Sequence, residues 1–307
     1  MPSISLIIPV YNEAENIRSL HKEICEVMRE RGYSFELLFI DDHSTDQTAS
    51  IIADIVKNDS NVRGFRLLRN TKKSGALQLG LQEAKGDVLI TLDGDMQDDP
   101  HEIPKLLEAI HSGADVAIGW RKEREDTVGK LIPSAVINRL TNWILGQQLH
   151  DMNSGFKAFR RETVHCMSFQ GSLFRFLPHL LQIEGFNVQE IPIHHRRRQC
   201  GASKFSLRHR LRSLFDLGTV YFLSKYGDRP MHFFGAIGLC IFAAGLACSG
   251  YLFMLWIQGM GVGNRPLLML AILLLIIGVQ VVSIGFIGEL LLYLRQRNNS
   301  SVPKKML

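Results

Sequence analysis

Two apolar runs near the C-terminal end, residues 231–257 and 266–294, constrain this chain more than any other feature. The first contains no Asp, Glu, Lys or Arg, and the second none before Glu289. Each exceeds the roughly 20 residues a helix needs to cross a bilayer. The competing reading, a buried helical hairpin in a soluble core, would rarely be so long and uncharged. The stretch before the first run is rich in Arg, and Arg295, Arg297, Lys304 and Lys305 follow the second. Residues 258–265 between them hold one Arg. This bias predicts a multi-pass protein of the inner (cytoplasmic) membrane with both termini in the cytoplasm and the short turn outside. No basic n-region precedes the first strand, so the N-terminal domain is expected to stay in the cytosol.

The remainder alternates strand and helix patterns. Apolar runs at 4–8, 35–40, 62–68, 87–92 and 115–119 read as buried strands. Helical periodicity fills 13–31, the stretch after Ser44 and Thr45 (either of which can cap it), 76–84 and 100–111. That order predicts an α/β domain with a mostly parallel sheet and helices on both faces. Ligands bind such sheets beyond the carboxyl ends of the strands. Those ends carry Tyr11 and Glu13, Asp42, Lys73, then Asp93, Asp95 and Gln97, then Arg121. Residues 150–161 form a turn entering a short strand, and 188–193 is a strand leading into the basic loop 195–204.

The chemistry is concentrated in Asp93-Gly94-Asp95-Met96-Gln97. Two carboxylates two residues apart and an amide two further on form a hard oxygen site, suited to Mg²⁺ or Mn²⁺ rather than zinc. An acidic turn capping the helix opened by Pro100 is the alternative. Acids for a metal and bases for phosphate together suit a metal-chelated nucleotide diphosphate. No GxGxxG follows the first strand and no GxxxxGK[ST] occurs, which disfavours dinucleotide and NTPase readings. The five cysteines show no CxxC spacing and two lie within the apolar runs, so neither disulfides nor zinc sites are expected. His43, His194 and His195 likewise lack metal-ligand spacing. Residues 194–212 hold seven Lys or Arg and no acid. Beside a membrane span, such a patch points to anionic lipid and not nucleic acid. The apolar residues of 207–222 recur at near-helical spacing, as in an interfacial amphipathic helix or one packed on the domain.

Five motifs in this order, Pro9-Val10-Tyr11-Asn12-Glu13, Asp41-Asp42-His43-Ser44-Thr45-Asp46, Asp93 to Gln97, Ser154-Gly155-Phe156 and Arg198 to Lys204, resemble the family 2 glycosyltransferases. They are most similar to the dolichyl- and polyprenyl-phosphate sugar transferases, and the two spans look like the bacterial prenyl-phosphate glucosyltransferase branch. The match covers about two thirds of the chain. The resemblance implies a GT-A catalytic domain at 1–205, a juxtamembrane amphipathic region at 206–230, transmembrane helices at 231–257 and 266–294, and a cytosolic tail at 295–307.

It also implies inverting transfer of a hexose from a nucleotide sugar, with UDP-glucose the expected donor, to a polyprenyl phosphate, expected to be undecaprenyl phosphate. Donors carrying mannose, aminoarabinose or an N-acetylhexosamine are the alternatives within the class. Pro9, Tyr11, Glu13 and Asp42 would hold base and ribose, and Asp93, Asp95 and Gln97 the metal. Lys73, Arg121, Arg198, Ser203 and Lys204 would meet donor or acceptor phosphates. Gly94 stands where many relatives have Ala, which would slightly loosen the turn. Catalysis would rest on Asp95, Arg121 and Asp151, the last as an orienting group or a base. A lipid monophosphate is already ionised at neutral pH, so no strong base is needed. A homo-oligomer and a flippase for the product are further expected partners. The rival classes are a non-catalytic membrane scaffold that binds nucleotide sugar or lipid, and a membrane-tethered oxidoreductase. A processive synthase would carry Gln-x-x-Arg-Trp, which is absent.

Overall fold

The structure, a computed structural model, describes residues 3–122, 149–151, 154–164, 176–196, 218–222, 225–227, 229–263 and 265–298. The helix that the spacing of Val136, Leu140 and Ile144 predicts over 133–145, the basic loop from 197 with Arg198, Ser203 and Lys204, and the amphipathic stretch up to 217 lie outside the described residues. Two compact units divide after Val220.

In the first unit a seven-stranded sheet has the order β3-β2-β1-β4-β6-β5-β7. Its strands are β1 (Ile4–Val10), β2 (Phe35–Asp41), β3 (Val62–Arg66), β4 (Val88–Thr91), β5 (Val116–Arg121), β6 (Lys157–Arg160) and β7 (Val188–Ile193). Leu6, Ile7 and Ile8 are all fully buried, because β1 is covered on both faces. Ile4, Leu6, Ile8 and Val10 pack with helices α1 (Ile17–Glu30), α2 (Thr48–Asn58) and α4 (Ile103–His111). Ile7, Leu38 and Ile40 face the other way, onto α3 (Lys72–Glu83) and the short helix Leu177–Ile183. The mostly parallel three-layer arrangement expected from the sequence is therefore present.

One strand departs from the parallel pattern and decides where the site forms. β6 runs antiparallel between β4 and β5, in the register Thr91↔Lys157 and Ile118↔Lys157. Reversed, β6 begins where its neighbours end. Residues 154–157 therefore reach the carboxyl edge of the sheet. A local expectation also fails: neither Ser44 nor Thr45 caps α2, which begins later. The Asp46 carboxylate accepts from Thr48 N at 3.0 Å, and Ser44 Oγ instead accepts from Asn12 N at 3.0 Å. Pro100 opens a short 3₁₀ turn leading into α4, as expected, with the Asp99 side chain accepting from His101 N.

His179, on the short helix, is fully buried, and neither ring nitrogen has a hydrogen-bond partner among the described residues. Burial pushes it down to about 4. The unfolded chain then binds a proton near pH 6.5 that the folded one refuses. Stability is full above 6.5 and is lost as pH falls from 6.5 towards 4, by roughly 3 kcal/mol in all. His179→Leu is expected to flatten the fall in melting midpoint over that window. An unchanged fall would refute the assignment.

In the second unit two antiparallel helices, Pro230–Ile257 and Pro266–Asn298, form a hairpin. The most apolar 18-residue stretches of Pro230–Ile257 and Pro266–Leu294 are only 17% and 11% buried. Outward apolar faces of this length suit lipid and not a soluble core. The helices approach closely, since a Cβ on Gly238 would lie 2.8 Å from Gly278 O. Glu289 accepts from Met231 N at 3.3 Å, using a helix N-terminus to satisfy the one acid of the span.

Candidate active site

Loops after β1, β2, β4 and β5 meet the start of β6 along one edge of the sheet. The first two are tied together. Asn12, in the left-handed region at φ 56°, accepts from Thr45 N through Oδ1 at 2.9 Å, while Glu13 N donates to Thr48 Oγ1 at 3.0 Å. Pro9 lies in the β1–β2 register opposite Ile40, and Tyr11 and Glu13 follow at the strand exit. Glu13 also accepts from Asn16 Nδ2 at 2.7 Å. Asp42 is buried and accepts from Thr71 N at 2.6 Å and Thr71 Oγ1 at 3.1 Å, which holds the turn that starts α3. That turn delivers Lys73.

The Lys73 ammonium pairs with Asp93 Oδ1. Burial favours the neutral acid at Asp93, but Lys73, with Arg121 and Lys157 behind it, outweighs burial and holds the carboxyl below the usual range. The carboxylate lies directly against Gly155. A Cβ on that glycine would fall 2.6 Å from Cγ and from both oxygens of Asp93. Gly94 packs just as tightly on β1, where a Cβ would meet Val10 Cγ1 at 2.7 Å. This glycine therefore seats the turn close to the strand and does not loosen it. Asp95 Oδ1 accepts from Gln97 N at 3.3 Å, and Met96 between them adopts φ 62°.

Buried Asp98 received no role from the sequence, yet it accepts from Asp93 N at 3.3 Å and bridges the backbone of His195. Its Oδ1 lies 3.4 Å from His195 Nδ1, off hydrogen-bonding geometry. Arg196 N donates to Gln97 O at 2.8 Å, and its guanidinium pairs with Asp99 and Glu23 at 2.7 Å each. The first residues of the basic loop are thus fastened to the acidic turn.

At the end of β5, Arg121 grips Asp151 in a fork, Nε to Oδ2 at 2.6 Å and Nη2 to Oδ1 at 2.9 Å. Asp151 is 2% exposed, and its backbone N donates to Glu190 Oε1 at 2.8 Å. Burial would lower Arg121, but Asp151, by hydrogen bond and charge, raises it. Lys157 is the second residue without a role in the sequence reading. It is 1% exposed and donates to Ser154 O. Burial, reinforced by Lys73 and opposed by Asp151 and Asp93, pushes its ammonium down to about 7. The sequence signal was available: a Lys set between Phe156 and Ala158-Phe159 at the start of a short strand. Lys73, Asp93, Arg121 and Asp151, more than 75 residues apart at the extremes, are brought to one edge with Lys157 among them, whereas Asp42 is turned to the α3 side.

A mostly parallel sheet with one reversed strand and an acidic turn at its carboxyl edge is the GT-A arrangement of glycosyltransferases. Residues 5–168 match the glycosyl transferase family 2 profile, and the chain belongs to that family. It is 32% identical over 304 residues to the dodecaprenyl-phosphate galacturonate synthase of Rhizobium johnstonii, covering 97% of this chain and 90% of that one. It is 30% identical over 289 residues to the undecaprenyl-phosphate 4-deoxy-4-formamido-L-arabinose transferase of an Enterobacter species, covering 93% and 87%. Among solved structures it shares the fold of glucosyl-3-phosphoglycerate synthase from Mycobacterium tuberculosis (TM-score 0.56, 19% identity, 71% of this chain and 79% of that one). It likewise shares that of mannosyl-3-phosphoglycerate synthase from Rubrobacter xylanophilus (TM-score 0.57, 17% identity, 74% and 75%).

Proposed function

We propose that this glycosyltransferase moves one pyranose from a nucleotide diphosphate donor onto the phosphate of a polyprenyl phosphate, with inversion at the anomeric carbon. One juxtaposition carries the reading. Lys73, Arg121 and Lys157 gather round Asp93 at the sheet edge, in a chain that aligns almost end to end with a dodecaprenyl-phosphate sugar synthase. Cations around a developing diphosphate charge are the main requirement of this chemistry.

Asp93, Asp95 and Gln97 fit Mg²⁺ or Mn²⁺, because the donors are all oxygen and the Asp93 carboxylate rests in a cradle that a Cβ at Gly155 would fill. A bound ion would neutralise charge on the diphosphate leaving group. Lys73 and Arg121 bind the donor phosphates; Pro9, Tyr11, Glu13 and Asp42 form the base and ribose side; Arg198, Ser203 and Lys204 take the acceptor phosphate. Asp151 acts as a positioning residue. Both its oxygens are engaged by Arg121, and an already ionised nucleophile needs no base. Lys157, poised near neutrality, adds charge beneath the diphosphate when protonated.

UDP-glucose is the donor expected from the resemblance of the spans. The two relatives above are named for galacturonate and 4-deoxy-4-formamido-L-arabinose, so these three sugars head the donor panel. The Lys and Arg flanking the two apolar helices support a catalytic domain on the cytoplasmic side of the membrane, where it would meet both substrates. The purified chain, undecaprenyl phosphate and each nucleotide sugar, scored by the mass of the lipid product, form the test. Nucleotide binding with no lipid-linked sugar from any donor would favour a scaffold. Asp95→Asn is expected to abolish Mg²⁺- or Mn²⁺-dependent turnover with an unchanged melting midpoint, and a near-normal rate would sink the metal assignment.

A further inference from the structure

We propose a second metal site, for zinc or a similar thiophilic divalent cation, built from His21, Cys25 and Asp59 on the helical layer remote from the sheet edge. His21 and Cys25 are one turn apart on α1, so they share a face. Asp59 is the C-cap of α2, its backbone N bonded to Ile55 O at 2.9 Å. His21 Nε2, Cys25 Sγ and Asp59 Oδ2 form a closed triangle with edges of 3.1 Å (N to O), 3.4 Å (S to N) and 3.6 Å (S to O). Tetrahedral zinc, with Zn–S near 2.3 Å and Zn–N and Zn–O near 2.0 Å, requires edges of about 3.3, 3.6 and 3.5 Å in the same order. The side chains already stand at those separations.

Without a metal, Nε2–H and S–H can both donate to Asp59 Oδ2, and the S–N edge is left to sulfur, a weak acceptor. A single cation inside the triangle would engage the nitrogen, the thiolate and the carboxylate together. The surroundings fit a metal as well. Asp59 Oδ1 accepts from Asn61 N at 3.0 Å, which aims Oδ2 inward. Arg29 lies 3.3 Å from Oδ2 and balances the anionic ligand pair. Cys25 is buried while the His21 and Asp59 side chains are partly open, leaving a solvent side for a water as fourth ligand. Metal-free, burial and the Asp59 charge push the Cys25 thiol up to about 11, so uptake releases its proton. Sequence spacing alone missed this site, since the third ligand lies 34 residues beyond Cys25.

The test uses the full-length protein, stripped with a chelator and titrated with Co²⁺ and then Zn²⁺. The expected result is a thiolate-to-cobalt charge-transfer absorption that saturates at one equivalent and disappears as Zn²⁺ displaces Co²⁺. Cys25→Ser abolishes it, His21→Gln weakens cobalt binding by more than about tenfold, and Asp95→Asn keeps it. Zn²⁺ raises the melting midpoint of the wild type, and of Asp95→Asn, but not of His21→Gln. A folded wild type with no such absorption, or an absorption that survives Cys25→Ser, overturns the site. Should Cys25→Ser fail to fold, the His21→Gln comparison decides in its place.

Discussion

Gly155→Ala is expected to cut sugar transfer by about a hundredfold or more while leaving the melting midpoint nearly unchanged. The added Cβ would stand 2.6 Å from three atoms of the Asp93 side chain, and Thr91, the last residue of β4, donates through Oγ1 to Gly155 O at 2.7 Å. The glycine backbone is therefore held in place, and the carboxylate is what must yield. Asp93 would have to move by close to an ångström, and a misplacement of that size at a reacting centre costs about a hundredfold. Folding is little affected, because Asp93 is partly exposed and can turn towards solvent. Steady-state rates of lipid-linked sugar formation, set beside the thermal melt, check the expectation. Activity within threefold of wild type would mean that the position of Asp93 does not govern transfer.

Arg121→Ala should cost both stability and activity, and the two losses should separate in a double variant. Asp151 is 2% exposed with both oxygens on the Arg121 fork. Removing one partner of a buried pair leaves an uncompensated charge, at a cost of about 3–5 kcal/mol. Arg121→Ala combined with Asp151→Asn removes that charge, so the melting midpoint should recover most of the loss. Activity should not recover, because the guanidinium proposed to meet the donor phosphates is still missing. Arg121→Lys should be intermediate, keeping the charge but not the planar fork. A double variant as unstable as the single one would show that the pair does not act as a unit.

Much of this was legible in the chain. Continuous apolar runs ending in polar clusters marked β1, β2 and β4, since strands buried on both faces tolerate little else. The charge-free runs marked the two long helices, because length and the lack of charge act locally. Asp93, Asp95 and Arg121 were singled out by position at strand ends and Lys73 just beyond one, by a rule for ligand sites in parallel sheets. Asp98 and Lys157 were passed over. An extra acid in an acidic turn and a lone Lys in a short strand look ordinary until neighbours distant in sequence are known. Asp42 lay in a recognisable motif, but that its carboxylate would hold Thr71 depended on where α3 begins.

Local pattern therefore determined which segments become strands and helices, which of them suit lipid, and which strand ends carry charge. Those properties follow from each segment's own periodicity and burial. Only the tertiary structure decided that β6 enters the sheet reversed, between β4 and β5. The reversal brings Gly155 against Asp93 and Lys157 among the cations. Strand order is set by packing among segments far apart in the chain, and no single segment records it.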